Sequence, residues 1–191
     1  YVIDSDPLRI ENLRESNFYW QYQLQAVNAR VTRENINELL AMSGFDHDVG
    51  LMSIDVDGVD YWILEAIRDF RPRILVLEYN AVFGADRLIS VPYDPEFHRT
   101  ASHYSNLYFG ASLPALAHLA GTKGYSLIGT TSAGGNAFFL RDDLMDSSPF
   151  TRLFARDGFT PSRSRESRDR ARRLNYLGGD DRYEVIKGMP V

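Results

Sequence analysis

The segment Arg73 to Glu78 (Arg-Ile-Leu-Val-Leu-Glu) constrains the fold more than any other stretch of the chain. Four consecutive aliphatic residues leave it no polar face. Such a strand must be covered on both sides, as the central strands of a parallel sheet are by flanking helices. Shorter runs of the same kind recur, each followed by helical periodicity. Tyr1 to Asp4 reads as the end of a buried strand. Asp6 and Pro7 then suit the N-cap and first turn of a helix, with Leu8, Asn12, Leu13 and Asn17 following at helical spacing. Leu24 to Val31 alternates apolar and polar residues, the mark of a half-exposed strand. Thr32 is placed to cap the next helix, Val31 and Ile36 to staple it, and Gly44 to stop it.

Leu51 to Ile54 runs into an acidic turn, Asp55-Val56-Asp57-Gly58-Val59-Asp60, and a helix over about Tyr61 to Phe70 follows. That helix carries Ile63, Ala66, Ile67 and Phe70 on one face. After Glu78 comes a long loop, Asn80 to about Gly110, and loops of that length are often functional. Ser112 and Pro114 open a further helix that ends near Gly124. Tyr125 to Gly129 and Asn136 to Leu140 are the last strands, joined by a turn at Gly134 and Gly135. The repeated strand–helix alternation predicts an α/β fold with a mainly parallel sheet.

With 191 residues, 44% hydrophobic and 25% charged, the chain can bury a core of its own. The pattern decays after Asp142. We read residues 1–145 as the domain and 146–191 as an extension, arginine-rich between Ser162 and Arg173. The absence of cysteine excludes disulfides, thiolate zinc sites and a cysteine nucleophile, and fits a cytoplasmic protein. A net charge of −5 argues against a general nucleic-acid binder. No apolar stretch approaches the roughly 20 residues of a membrane span.

Chemistry is expected where acids end strands, because ligands of open α/β sheets gather at the carboxyl ends of the strands. Asp4 ends the first strand, Asp55 and Asp57 follow the third, and Glu78 with Asn80 ends the fourth. Each acid alone could simply cap the helix that follows. Together they suggest a site. Asp4, or Asp6 in its place, is a candidate for accepting the hydroxyls of a ribose. Asp55, Asp57, Glu78 and Asn80 offer the hard oxygen ligands that suit Mg²⁺. A calcium loop is excluded, since its twelfth position falls on Ala66 where a glutamate is needed. Asp55 or Asp57 could instead act as a base, and His98 or His103 of the long loop could reach the site for the same work. Asp55-x-Asp57 also suits a metal-dependent nucleotide-sugar transferase. Tyr93, between Pro92 and Pro95, and Tyr108, in Tyr-Phe-Gly-Ala-Ser, could form a substrate wall or a packed surface loop.

The strand ending at Asp4, the Asp-Pro helix, the turn Ile54 to Asp60 and the strand end Glu78-Tyr79-Asn80 together resemble the FkbM-like branch of the S-adenosylmethionine-dependent methyltransferases. Within it, a bacterial group shares the Asp-Gly-x-Asp-Tyr-Trp turn, Tyr-Phe-Gly-Ala-Ser and a late Glu166-Ser167-Arg168-Asp169. The resemblance implies a Rossmann-like, seven-stranded sheet with an antiparallel last strand. It also implies methyl transfer from S-adenosylmethionine to a hydroxyl of a small molecule or sugar. It makes Asp4 the ribose acid and puts Asp55 and Asp57 near the transferred methyl group.

The family's first strand and its glycine-rich cofactor turn lie upstream of the ribose acid. Here Asp4 stands almost at the start, and Gly134-Gly135 lies between the last two strands. The expectation is therefore an N-terminally incomplete sheet, completed by an upstream segment or by another copy. The rival expectation is a non-catalytic Rossmann-like binding or assembly module.

Overall fold

The computed structural model describes residues 1–191. Its six strands form two sheets. A two-stranded parallel sheet holds β1 (Val2–Asp4) and β2 (Ala26–Asn28), with Val2 opposite Ala26 and Asp4 opposite Asn28. A four-stranded sheet has the order β3-β4-β6-β5, from β3 (Leu51–Ile54), β4 (Ile74–Glu78), β5 (Tyr125–Thr130) and β6 (Asn136–Arg141). β3 and β4 are parallel, and β6 runs antiparallel to both its neighbours. The fold is α/β with a mixed sheet, and the single seven-stranded sheet is not formed. β1 and β3 are not paired with each other.

Local chemistry accounts for most of the helix boundaries. α1 (Pro7–Glu15) starts with proline at its first position, and the Asp6 carboxylate accepts from the Leu8 N–H at 2.9 Å. Its one buried residue is Ile10, not Leu8 or Leu13. α2 (Asn17–Gln21) follows directly. α3 (Ile36–Ala41) begins three residues later than Thr32 implied. Thr32 and Asn35 instead cap one another, each side-chain oxygen accepting from the other's backbone N–H.

α4 (Asp60–Ala66) stops short of the expected Phe70. Its final carbonyls are taken by a distant partner: the Lys123 ammonium donates to the oxygens of Glu65 and Ile67 at 3.0 and 2.8 Å. In the long loop, a short α5 (Arg99–Ser102) precedes α6 (Leu113–Thr122). α6 is capped by Ser112 and carries Pro114 in its first turn, as expected. α7 (Ala155–Gly158) and α8 (Asp181–Glu184) lie beyond β6.

The main core lies where α4 and α6 meet the four-stranded sheet, with Ile63, Leu64, Leu116 and Ala120 against Leu75, Leu77 and Phe139. β4 is covered less evenly than its composition implied. Leu75 and Leu77 are fully buried, while Ile74, Val76 and Glu78 on the opposite face are half-buried. A second, smaller core joins the long loop to the C-terminal residues through Val82, Phe83, Val91, Leu107, Tyr108 and Ile186. Gly134, in the hairpin between β5 and β6, is required there: its φ is +72°, and a Cβ would lie 2.3 Å from the Pro161 carbonyl oxygen. No helix is long and apolar enough to cross a membrane.

Candidate functional site

The site is built around the turn that follows β3. Asp60 is fully buried, and its two carboxylate oxygens accept from the N–H groups of Val56 and Gly58 at 3.0 and 3.1 Å. These bonds curl the backbone back on itself, with Asp57 at φ +57° and Gly58 at φ +141°. Burial pushes the Asp60 carboxyl up to about 6, against the pull of its hydrogen bonds. Gly58 is required twice over. Its φ belongs to glycine, and a Cβ would lie 2.3 Å from the Phe97 ring. Gly58→Ala is expected to destabilise by about 3 kcal/mol in urea unfolding, from strain and overpacking together. Adding Phe97→Leu should restore only the overpacking share.

The curl presents Asp55 and Asp57 to solvent beside Glu78, at the carboxyl end of β4. One carboxylate oxygen from each lies within 4.8 Å of the others. Glu78 is the least comfortable of the three. Its Oε2 is buried without a hydrogen-bond partner, and its carboxyl is pushed up to about 8. Burial is the main cause, with the charges of Asp60 and Asp55 adding to it. Asp55 is also raised, by its crowded setting first and by Asp57 second. Three oxygen donors at this spacing, one of them orphaned, form a set that would suit a hard divalent cation.

Beside the cluster opens a polar cavity of about 340 Å³, lined by Asp4, Asp6, Asp55, Asp57, Arg9, Arg30, His98 and Arg99, among others. It lies at the carboxyl ends of β1 and β3. Asp4 accepts from the Asp6 N–H at 2.8 Å and lies 3.7 Å from the Arg9 guanidinium. Asp6 lines the same cavity while capping α1. His98 stands at the start of α5, its Nε2 3.4 Å from Nη1 of Arg30.

Other expected site residues are committed elsewhere. Asn80 is not a ligand: it is buried, its amide donates to the carbonyls of Leu107 and Phe109, and its oxygen accepts from the Val82 N–H. Tyr93 does not face the cavity. Its hydroxyl donates to Glu34 at 2.6 Å and accepts from the Arg33 N–H, pinning the loop to the segment before α3. Tyr108 is a buried anchor whose hydroxyl donates to the Pro190 carbonyl. His103 lies outside the cavity lining, its Nδ1 2.7 Å from the Ser105 hydroxyl and its ring against Tyr104; burial lowers its pKa.

Two arginines that sequence reasoning passed over do belong to the site. Arg30 donates to the carbonyls of Pro95 and Phe97 and so ties the loop across the cavity. Arg99 donates from Nε to the Asn106 carbonyl, and its guanidinium carbon lies 3.6 Å from the Phe109 ring centroid. Neither falls in a motif that could have signalled it. Comparison of the chain with protein-family models, with curated proteins and with solved structures gives no match in any of the three.

Proposed function

We propose that this chain carries the site of an S-adenosylmethionine-dependent O-methyltransferase, Rossmann-like and FkbM-like, acting on a small-molecule or sugar hydroxyl in the cytoplasm. The observation that carries this reading is a convergence. The carboxylates of Asp55, Asp57 and Glu78 cluster at the carboxyl ends of β3 and β4, and Asp4, at the end of β1, lines with Asp55 and Asp57 a polar cavity of ligand size. In this reading Asp4, whose Oδ1 accepts from the Asp6 N–H at 2.8 Å, is the strand-end acid that accepts the ribose hydroxyls. When bound, S-adenosylmethionine supplies an electrophilic methyl group on its sulfonium, and the reaction needs mainly alignment of the acceptor oxygen. Asp55, Asp57 and Glu78 would hold Mg²⁺, which lowers the pKa of a bound hydroxyl. An Asp55 carboxylate oxygen takes up the acceptor's proton, with His98 on the cavity wall as the alternative base. Arg30 fastens the Pro95–Phe97 stretch that forms part of the cavity wall.

Titration calorimetry with S-adenosylmethionine tests this. Saturable binding is expected, weakened at least about tenfold in Asp4→Ala, the loss of a charged acceptor. Asp94→Ala, on the exposed loop, should bind as the unaltered chain does. Absence of heat at millimolar ligand overturns the reading. The Asp55–Asp57–Glu78 spacing also favours a second reading, a metal-dependent nucleotide-sugar transferase. Heat with a UDP-sugar only when Mn²⁺ is present would select that one, and binding of neither ligand would leave a non-catalytic module.

A further inference from the structure

One cation near the site has no partner. Arg182, in α8, is half-buried, and its Nε is enclosed without an acceptor. Its side chain makes no hydrogen bond or ion pair, while its terminal nitrogens keep contact with solvent. α8 packs against the turn Ala81–Phe83 that follows β4, which brings Arg182 beside the carboxyl end of that strand. Its neighbour there is another cation. Burial lowers the Arg182 pKa, and the charge of the Arg99 guanidinium lowers it further. Arg99 lines the polar cavity, and apart from the bond from Nε to the Asn106 carbonyl its guanidinium donates to nothing. Glu166, whose carboxylate feels the charge of Arg99, is bridged to Arg168 at 3.1 Å instead. A half-buried guanidinium without an acceptor, set beside a second one, costs the fold stability.

We propose that Arg99 and Arg182 form an anion pocket at the rim of the polar cavity, and that it receives a carboxylate or phosphate group carried by the acceptor. The donors identify the ligand chemistry. A guanidinium presents paired N–H groups that match the oxygens of a carboxylate or phosphate, and an oxyanion between two of them also offsets their repulsion. A neutral hydroxyl or amide would meet some of the donors but leave the repulsion in place. The position gives the group its purpose. Arg99 lies within the electrostatic reach of Asp55 and Glu78, so a ligand held at the pocket has its remaining atoms beside the carboxylate cluster. Anchoring one end of the acceptor in this way would align a hydroxyl at its other end. The acceptor class is then a hydroxy acid or a sugar phosphate. This inference rests on the reading of the polar cavity as an acceptor site. Its probes are inorganic phosphate and acetate, so calorimetric failure with S-adenosylmethionine and failure here are separate results.

The test is thermal unfolding of the full chain in EDTA, with sodium chloride as the reference salt at matched ionic strength. Inorganic phosphate at about 20 mM is expected to raise Tm by roughly 4 °C above that reference if the group is a phosphate. A larger shift with acetate would name a carboxylate instead, and either result supports the pocket. Arg182→Gln should lose most of the shift. Because that variant removes an unpartnered charge, its Tm without phosphate or acetate should rise by about 2 °C. Arg182→Lys keeps the charge without the planar fork and should retain only part of the response. Arg170→Gln, on the exposed tail, changes the net charge equally and should respond in full. No shift beyond chloride with either anion would overturn the proposal. So would equal responses from Arg182→Gln and Arg170→Gln, which would place the binding elsewhere. A fall in Tm of Arg182→Gln without added phosphate or acetate would make the side chain a support of the fold, and would overturn it as well.

Discussion

Replacing Glu78 by glutamine is expected to stabilise the protein at pH 8.5 and to leave it nearly unchanged at pH 4.5. The folded carboxyl titrates near 8, against an ordinary value of 4.5. The fold therefore disfavours the charged form. Stability from the neutral acid is complete below about pH 4.5 and is lost progressively as pH rises through about 8. Glutamine cannot ionise and should show no such loss. The difference between the two proteins, followed by thermal unfolding from pH 4.5 to 9, reads the ionisation of Glu78 together with its coupling to Asp55 and Asp60. We expect the gain at high pH to reach about 3 kcal/mol, discounted for partial exposure, or roughly 6 to 12 °C in Tm. A flat difference across the window would show that Glu78 ionises freely in the folded protein.

The same substitution should act in the opposite sense once a divalent cation is added. A carboxyl must lose its proton to ligate, so millimolar Mg²⁺ or Mn²⁺ is expected to stabilise the unaltered chain more strongly as pH rises from 6 to 8. Glu78→Gln should lose most of that response. A cation response that survives the substitution unchanged would remove Glu78 from the proposed ligand set.

Asp60→Ala is expected to destabilise by about 3 kcal/mol by urea unfolding, because it strands two N–H groups of the turn. Against a total stability of about 5 to 15 kcal/mol, such a loss is severe but leaves the chain folded. Asp60→Asn keeps one acceptor and should cost about half as much. The informative outcome concerns the neighbours. With the curl released, Asp55 and Asp57 no longer converge on Glu78, so the Mg²⁺ stabilisation should vanish in a variant whose core remains intact. If Asp60→Ala unfolds less readily than expected and keeps the full cation response, the turn is held by other contacts.

Several features were legible in the sequence because their physics is local. The caps at Asp6 and Ser112 act on backbone groups two or three residues away, and the strand ends at Asp4, Asp55 and Glu78 follow from short apolar runs that stop at acids. The long-range commitments were not legible. Asn80 reads as a strand-end ligand until its amide is seen bonded to carbonyls 27 and 29 residues away. Tyr93 and Tyr108 are fastened to partners 59 and 82 residues distant, and α4 ends where Lys123 reaches its carbonyls from α6.

By itself the sequence determined the alternation of strands and helices and the placing of acids at carboxyl ends, since these depend on the period and termination of apolar runs. Only the tertiary structure decided which acids converge, that Asp60 supports the turn while Glu78 stays unpartnered, and that β1 and β3 face one another across an apolar gap. Convergence, burial and edge pairing are relations between distant segments. Even the run from Arg73 to Glu78 shows this division: its strand was written in its residues, but its uneven cover was set by helices lying on one face.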